Sequence, residues 1–512
     1  MSARSQGIIS GDRLITHEGR ESRSRQFAGG LKSLGITRGD CVAILMRNDV
    51  AFLEATLGAM MLGAYAVPIN WHFKPEEIAY ILADCGAKVL IGHSDLLHRL
   101  GPAIFSEVRT FWVLTPPEVV SAYRINPADL LPVEGATEFV AWLKAQTPYL
   151  EPPQTASESM IYTSGTTGQP KGVRRNAPSA EEQRQTEEWR ALAYGVKPGV
   201  RALLPGPLYH ISPNALAVRA ARLAELLVLM PRFDAEALLS WIEREQIDTI
   251  FMVPTMFTRL LQLPPEVRSR HDLSSLRHVV HTAAPCLPTL KEQMIDWWGP
   301  VVHEFYGSTE AGVLTLATSQ DALHKPGTVG KCIPGVELRI YDDAGNILPP
   351  GQIGEIYGRC GGYPDFTYQG KPEKRAEVER DGLITSGDVG YLDEEGYLFI
   401  CDRKRDMVIS GGVNIYPAEI EAVLHSLPDV HDCAVFGIPD EEFGEALMAI
   451  VEPLPGTSLD PAVLRDALRH HLANYKVPKC IELRTGLPRE DSGKIFKRRL
   501  RDPYWEKAGR RI

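Results

Sequence analysis

Strand patterns and helix patterns alternate through the first part of this chain, and this alternation constrains the fold most. Apolar strand patterns at 41–46, 65–70 and 88–93 are separated by helix patterns at 49–64 and 74–86. In the helix patterns, apolar residues recur every three or four positions. Strand–helix–strand repetition predicts an α/β fold with a mostly parallel sheet covered by helices.

Three further strand patterns run into short loops of small or polar residues. "TIFMV" at 249–253 leads to "PTM", "RHVVH" at 277–281 leads to "TAAPC", and "VVHEF" at 301–305 leads to "YGSTE". In open α/β sheets the ligand crevice lies beyond the carboxyl ends of the strands. The three loops therefore predict one composite binding site.

The sequence changes character after about residue 330. Residues 336–358 are typical of paired antiparallel strands with a turn at Asp343–Asn346, and 390–400 repeats the hairpin pattern. A charged stretch and a shorter α+β pattern follow. We therefore predict a large domain over 1–402, whose β-barrel-like subdomain covers about 330–402, and a small mobile α+β domain over 403–512.

Composition narrows the class of protein. With 512 residues, two or more domains are expected. A net charge of −10 argues against a nucleic-acid binder. The eight cysteines show no CxxC spacing, and the chain opens with no signal-peptide pattern, so we expect a reducing cytoplasm. The most apolar run is too short to cross a bilayer, so no transmembrane segment is expected.

The stretch "YTSGTTGQPKG" at 162–172 is rich in hydroxyl groups and glycines and ends in a lysine. Backbone N–H groups and hydroxyls in such a loop can surround anionic oxygens. The loop does not match GxxxxGK[ST], because Pro170 precedes Lys171 and Gly172 follows it. Phosphate binding and an ordinary exposed loop both remain open on these grounds alone.

The order of residues in this loop resembles the signature of the adenylate-forming superfamily of acyl-CoA synthetases, luciferases and peptide-synthetase adenylation domains. Other segments match in family order over nearly the whole chain. These are "PLYHI" at 207–211, "TAAP", "YGSTE", "TSGDVGYLDEEGYLFICDRKRDMVISGGVNIYPAEIE" and "LPREDSGKIFKR". The resemblance implies that ATP and a carboxylate form an acyl-adenylate and pyrophosphate, after which a thiol displaces AMP.

The resemblance also implies site residues. Lys494 is the catalytic lysine, bridging the acyl carboxylate and the α-phosphate, where an ammonium would stabilise developing charge. Glu310 is the magnesium ligand, Thr309 donates to the α-phosphate, Tyr306 stacks on adenine, and His210 gates the acyl pocket. The implied ATP- and AMP-binding residues are Thr163, Ser164, Gly165, Thr166, Thr167, Lys171, Ala283, Ala284, Pro285, Glu304, Phe305, Tyr306, Gly307, Ser308, Thr309, Asp388, Arg403 and Lys494.

Simpler interpretations exist for several of these residues. Glu310 could be an acid in the first turn of a helix, complementing the helix dipole. Asp388 matches the acid that accepts from the ribose hydroxyls, whereas Arg403 could instead form a salt bridge at the domain boundary. Gly411 and Gly412, which the resemblance places along a pantetheine tunnel, could form a simple turn.

The small domain of the family rotates between the two half-reactions, and Arg405 falls at the hinge position. Some relatives carry lysines where this chain has Ile409 and Gly411. Contacts from these positions to the CoA phosphates are therefore not expected here.

Candidate residues for the acyl pocket are small or apolar, which favours a hydrophobic acid over an amino acid or a dicarboxylate. A fatty acid or a bulky alicyclic or steroid-type acid is the substrate class we expect. The candidates are His210, Asn214, Val218, Thr282, Ala283, Val313 and Leu314.

The main interpretation is a free-standing acyl-CoA synthetase that uses ATP, Mg²⁺, CoA and a small carboxylic acid. Alternatives are an adenylation enzyme that loads a separate carrier protein, an aromatic-acid CoA ligase, a luciferase-like oxidase and a nucleotide-binding protein without catalysis. A homodimer is compatible with all of them.

Overall fold

The computed structural model describes residues 5–105, 107–163, 170–489 and 495–507, with the backbone alone at 102 and 103. Strands β1 to β16 are Gly7–Ser10, Arg13–Ile15, Cys41–Leu45, Tyr65–Pro68, Ala87–His93, Arg109–Val113, Thr137–Glu138, Ile161–Thr163, Lys171–Arg175, Arg201–Leu204, Leu226–Leu229, Thr249–Met252, His278–His281, Val302–Ser308, Gly312–Ala317 and Lys331–Cys332. Strands β17 to β27 are Val336–Tyr341, Gly354–Cys360, Phe366–Tyr368, Glu379–Arg380, Leu383–Leu392, Leu398–Arg403, Val408–Ser410, Val413–Ile415, Val430–Asp440, Gly444–Pro453 and Cys480–Leu483.

Helices lie between most of the strands in the first three hundred residues. Helices α1 to α9 are His17–Ser33, Val50–Met61, Pro75–Cys85, Ser94–His98, Pro102–Phe105, Pro117–Tyr123, Phe139–Lys144, Ala180–Tyr194 and Ile211–Leu223. Helices α10 to α18 are Ala235–Glu245, Pro254–Leu261, Pro265–Arg268, Pro288–Trp298, Ser319–His324, Glu373–Glu377, Pro417–Ser426, Pro461–His471 and Lys497–Lys507. Among the described helices, none combines the length and apolarity that a membrane span requires.

Two sheets form the scaffold of the large N-terminal part. The first has the order β4-β3-β5-β6-β7, and every pair in it is parallel. The second has nine strands in the order β16-β15-β14-β13-β12-β10-β11-β1-β2. Its inner pairs are parallel, and antiparallel strands close both edges. The predicted helix-covered, mostly parallel fold is confirmed.

Helix α2 packs between the two sheets, because it contacts β3 and β4 on one side and α9 on the other. Almost all of its residues are buried, as its mostly apolar sequence requires, and the buried Glu54 pairs with Arg23 of α1 at 2.6 Å. Asp49 caps its N-terminus by accepting from the Val50 N–H at 2.6 Å. The same carboxylate accepts from Arg13 at 2.7 Å and lies 3.3 Å from His93 Nε2, which connects the helix to β2 and β5.

The β-rich part is an antiparallel sheet in the order β17-β18-β21-β20, with β22 on β21. The predicted turn forms locally, because the Asp342 carboxylate accepts from the Asn346 N–H at 2.8 Å. However, β18 begins only at Gly354, so the connection is longer than a tight hairpin. The predicted strand pair after Gly390 is confirmed by β21 and β22.

The C-terminal part is a five-stranded sheet in the order β24-β23-β26-β25, with β27 on β26, accompanied by α16, α17 and α18. It has its own apolar core, in which Ile420, Leu424, Val435 and Leu468 are fully buried. A separate core is expected of a unit that can fold by itself. The predicted α+β character of this part is confirmed.

Candidate active site

The stretch at 162–172 that is predicted to bind phosphate, called the phosphate loop below, connects β8 and β9, and these two strands pair antiparallel. Strands β8 and β9 pair so that Thr163 lies opposite Lys171. The residues between them, including the predicted Ser164, Gly165, Thr166 and Thr167, lie outside the described part of the chain. The hairpin therefore brings the two ends of the loop together, and the ammonium of Lys171 lies 5.3 Å from the ring centre of Tyr368.

Thr309 and Glu310 lie in the short turn between β14 and β15. The alternative that Glu310 is a first-turn helix acid is wrong, because the chain reverses here into an antiparallel strand rather than entering a helix. The Tyr368 hydroxyl donates to Glu310 Oε1 at 3.1 Å. Burial raises the pKa of the Glu310 carboxyl above its ordinary value, and the Tyr368 hydrogen bond only partly offsets this effect.

Tyr368 therefore contacts both the lysine at the end of the phosphate loop and the predicted metal ligand. Sequence reasoning missed this residue, because "DFTYQG" at 365–370 carries no motif that we recognised. Its strand β19 pairs with β9, which places Tyr368 opposite Val173. The pairing brings Lys171, Glu310 and Tyr368 to one place.

A second polar cluster surrounds Asp388. Its Oδ2 accepts from the Tyr306 hydroxyl and from the Ser386 hydroxyl, each at 2.8 Å. Arg403 lies opposite Asp388 across β21 and β22, and its Nε is 3.3 Å from Oδ1. Burial, together with the neighbouring carboxylate, raises the pKa of Tyr306 well above its ordinary value, so its hydroxyl remains a donor. Arg403 therefore forms an ion pair with Asp388, the residue predicted to bind the ribose hydroxyls.

The loop after β13 contains Ala283, Ala284 and Pro285, the predicted adenine segment. Ala283 has φ of 77°, in the left-handed region that residues with a side chain seldom adopt. Strain of this kind concentrates at functional sites. The loop joins β13 to α13 at the carboxyl edge of the sheet, where the sequence placed it.

Glu304 and Phe305 precede Tyr306 on β14, and both are buried. The Glu304 carboxylate forms an ion pair with the buried Lys291 of α13. Phe305 packs edge-on against Tyr194, with ring centres 5.5 Å apart. The side chains of both residues are therefore engaged inside the protein, and their contact with adenine stays a prediction. Sequence reasoning missed the pairing of Lys291 with Glu304.

The acyl-pocket candidates do not share one surface. His210 occupies the N-cap position of α9, and the side-chain amide of Asn214 donates to the Leu208 carbonyl at 2.9 Å. Neighbours on β15 point in opposite directions. Val313 therefore packs in the main core, whereas Leu314 packs in the β-rich subdomain.

Three pocket candidates remain, namely Val218, Thr282 and Ala283, and the first two differ from the third in burial. Both are buried, at 9% and 7% exposure. The side chain of Ala283 is exposed. Lining of the acyl pocket by any of these residues stays a prediction.

Gly411 and Gly412 form the turn between β23 and β24, with φ of 57° and 80°. A Cβ on Gly411 would lie 3.1 Å from the Phe443 ring, whereas a Cβ on Gly412 would meet nothing within 4 Å. The simple-turn interpretation is correct for the local backbone. The proposed tunnel along these glycines stays a prediction.

The predicted hinge closely follows the arginine that pairs with Asp388. Arg405 lies two residues after Arg403, and Lys404 between them bonds Asp343 and Glu355 at 2.9 Å each. Lys404 thus fixes this segment to the β-rich subdomain. The predicted catalytic Lys494 lies outside the described residues, although Arg489 and Ile495 on either side of its loop form a β-bridge.

Comparison with known proteins agrees with this geometry. The model of the AMP-binding enzyme family matches residues 4–362, and that of the AMP-binding enzyme C-terminal domain matches 419–494. The chain belongs to the AMP-binding enzyme family. The division at 402 and 403 lies between the two matches and stays a prediction.

Similar proteins cover nearly the whole of this AMP-binding enzyme. A fatty acid–[acyl-carrier-protein] ligase, ScoC of Streptomyces coeruleorubidus, is 32% identical over 99% of this chain and 94% of its own length. A feruloyl-CoA synthase of an Amycolatopsis species is 35% identical over 98% and 96%. The solved structure of the amide bond synthetase McbA from Marinactinospora thermotolerans has a TM-score of 0.82 at 28% identity, covering 98% and 97%.

These findings confirm the predicted class. This AMP-binding enzyme is an AMP-forming acid–thiol ligase of the acyl-CoA synthetase type, which activates a carboxylic acid with ATP as an adenylate and then forms a thioester.

Proposed function

We propose that this enzyme converts a hydrophobic carboxylic acid into its CoA thioester. In the first step, a carboxylate oxygen attacks the α-phosphorus of ATP, and the bond to the β-phosphate oxygen breaks, which releases pyrophosphate. In the second step, the thiol sulfur of CoA attacks the acyl carbon, and AMP leaves. The mixed anhydride replaces a poor leaving group with a good one, which divides one difficult step into two easier ones.

The observation that carries this proposal is the spatial grouping of Lys171, Glu310 and Asp388. Lys171 and Glu310 both contact Tyr368, while Asp388 is held by Tyr306 from the strand that leads into Glu310. Tyr368 therefore joins a cation to a hard carboxylate, and Tyr306 joins the strand before that carboxylate to a diol acceptor, which supports a nucleoside triphosphate as the ligand.

Glu310 suits a magnesium ion. Mg²⁺ in nucleotide sites commonly uses one or two carboxylates together with the phosphates. The hydroxyl of Tyr368 orients Oε1, and Arg175 and Arg403 favour the ionised carboxylate that metal binding needs. Mg²⁺ bound there would compensate charge on the phosphates.

The other residues have distinct proposed roles. Asp388 and Arg403 hold the ribose, Tyr306 stacks on adenine, Thr309 donates to the α-phosphate, and Lys494 bridges the two reacting groups. Val218 and Val313, both buried and apolar, support a hydrophobic acyl group of the fatty or alicyclic type.

Similarity to ScoC favours one alternative, which is transfer to a separate carrier protein. Similarity to a feruloyl-CoA synthase favours another, an aromatic acid as substrate.

A panel of fatty, alicyclic, steroid-type and aromatic acids with ATP and Mg²⁺ tests all three possibilities, by following AMP release with and without CoA. Turnover that depends on CoA and is fastest with an aliphatic acid is expected. Pyrophosphate release without turnover of CoA would contradict CoA as the acyl acceptor. A preference for a cinnamic acid would contradict a fatty or alicyclic acid as the substrate.

A further inference from the structure

Arg175 ends the strand that follows the phosphate loop, and its side chain is buried with only 4% exposure for the residue. Its Nη2 donates to the backbone carbonyls of Thr309 and Glu310, the latter at 2.7 Å. Its Nη1 donates to the carbonyl of Pro364 at 2.6 Å. One guanidinium thus donates hydrogen bonds to two consecutive carbonyls in the turn that carries the proposed metal ligand.

Two other side chains fix the guanidinium. It stacks on the ring of Tyr363 at 3.5 Å, and its Nε lies 3.8 Å from Glu158 Oε2. The Tyr363 hydroxyl donates to the same carboxylate, which also pairs with Arg190. Glu158 therefore balances charge that burial would otherwise make costly, and the planar fork of Arg175 is held in one orientation.

The turn itself rests on the same support. Gly312 has φ of 82°, and a Cβ there would lie 2.5 Å from the Tyr363 ring. The backbone of Arg175 is also fixed, because it pairs with Phe366 and its carbonyl accepts from the Tyr65 hydroxyl at 2.6 Å. The turn cannot shift relative to the phosphate-loop strand without breaking these contacts.

We propose that Arg175 is a positioning residue for magnesium–nucleotide binding, holding the Thr309–Glu310 turn at a set distance from the phosphate-loop strand. Arg175 acts through backbone carbonyls and touches no substrate. This inference rests on the proposed function, because it takes Glu310 as the metal ligand. The simpler interpretation is a buried arginine that only stabilises the fold, and the two differ in what its loss does to nucleotide binding.

The adjacent Arg174 provides a matched control. It points to the opposite face of β9, where it donates to the Gln369 side chain and the Gly39 carbonyl at 3.1 Å each. Arg174→Gln removes the same charge from the same strand and leaves the 309–310 turn untouched. Arg175→Lys keeps the charge but replaces the planar guanidinium, which donates in several directions, with a single ammonium group.

The experiment measures the affinity of the full chain for a non-hydrolysable ATP analogue with and without Mg²⁺, the affinity for AMP without Mg²⁺, and the melting temperature. Arg175→Gln is expected to reduce the Mg²⁺-dependent gain in affinity about tenfold, the effect of losing charge-assisted hydrogen bonds. AMP affinity should stay within about twofold, since AMP lacks the phosphates that Mg²⁺ joins. Arg175→Lys should lose part of the gain, and Arg174→Gln none of it.

Equal losses of AMP affinity and of the Mg²⁺-dependent gain would overturn the proposal, because they indicate a purely structural role. Identical behaviour of Arg175→Gln and Arg174→Gln would overturn it too.

If Arg175→Gln does not fold, Tyr363→Phe decides, since it keeps the ring and loses only the bond to Glu158. A lower Mg²⁺-dependent gain in Tyr363→Phe supports the proposal, and an unchanged gain overturns it. Wild-type protein that binds the analogue equally with and without Mg²⁺ would instead overturn the role of Glu310 in the proposed function.

Discussion

Tyr368 illustrates how one side chain unites groups that lie far apart in the chain. Its ring faces Lys171, its hydroxyl donates to Glu310, and burial raises its own pKa, which keeps the hydroxyl protonated. A protonated phenol beside a carboxylate orients one oxygen and leaves the other open. The position of the proposed metal ligand is therefore set by a residue outside every motif we recognised.

The proposed role of Lys494 separates the two half-reactions most clearly. Lys494→Ala removes the charge that would stabilise the transferring oxygens, so adenylate formation should fall by about 10²-fold or more. Thioester formation from supplied acyl-adenylate should be spared, since the phosphoryl transfer is already complete. Pyrophosphate release and thioester formation are measured separately. Equal loss of both steps would refute the assignment.

At the scale of one element, the N-terminus of α2 carries a pH-sensitive contact. Burial opposes ionisation of Asp49, but the hydrogen bond from His93 and the charge of Arg13 outweigh it and lower its pKa to about 2. A carboxylate with a depressed folded pKa adds stability above its unfolded pKa of about 3.9, and this stability is lost as the pH falls toward 2.

Asp49→Asn keeps an oxygen for capping but removes the charge. We expect the variant to be about 2 kcal/mol less stable than wild type at pH 7, from a shift of nearly two pKa units. The deficit should shrink as the pH falls from about 4 toward 2. Urea unfolding of the domain that contains α2, measured across this range, tests the prediction. A deficit that does not depend on pH would show that packing, not charge, is responsible.

The turn at Gly412, between β23 and β24, supplies a second prediction at the scale of one element. An alanine there meets no neighbouring atom but must adopt φ near 80°, which costs about 1–2 kcal/mol. If the turn lines the thiol path, Gly412→Ala should slow the thioester step about tenfold and leave adenylation within about twofold. Gly456, with φ of 85° and equally open surroundings, is the matched control in the same domain. Equal effects of Gly412→Ala and Gly456→Ala would contradict the assignment of this turn to the thiol path.

At the scale of the whole molecule, our proposal gives the two half-reactions different groups at one site, Lys494 for adenylation and the Gly412 turn for the thiol path. Both belong to the predicted small domain, so presenting each in turn would require that domain to rotate. The segment after Arg403 is where such a rotation can occur, since Lys404 is fixed to Asp343 and Glu355 of the β-rich subdomain.

Arg405→Pro tests the proposed hinge. Proline fixes φ near −65° and so restricts the backbone change that the rotation needs. The complete reaction should slow at least about tenfold, while one isolated half-reaction stays within about threefold of wild type. AMP binding and the melting temperature serve as controls for folding. Equal loss of both half-reactions with unchanged AMP binding would contradict a hinge at this position.

Much of the scaffold was readable from the sequence, because apolar periodicity reports burial directly. The strands at Cys41–Leu45, Tyr65–Pro68 and Ala87–His93 and the helices α2 and α3 form where the pattern places them. The delayed start of β18 was not readable, because turn chemistry at Asp342 sets a local reversal but not the point at which strand pairing resumes.

The sequence by itself determined the family and the chemistry, since the order of its motifs is specific and reactive groups must be of particular residue types. It also determined the α/β class, because periodicity is a local property. Only the tertiary structure decided which residues support the reactive ones. Tyr368 and Arg175 reach the 309–310 turn from 58 and about 135 residues away, and Lys291 and Glu158 pair with residues 13 and about 17 positions away. Contacts at such separations leave no local pattern in the sequence. It also decided that Val313 and Leu314 face different cores, because the direction of each side chain depends on how β15 is packed.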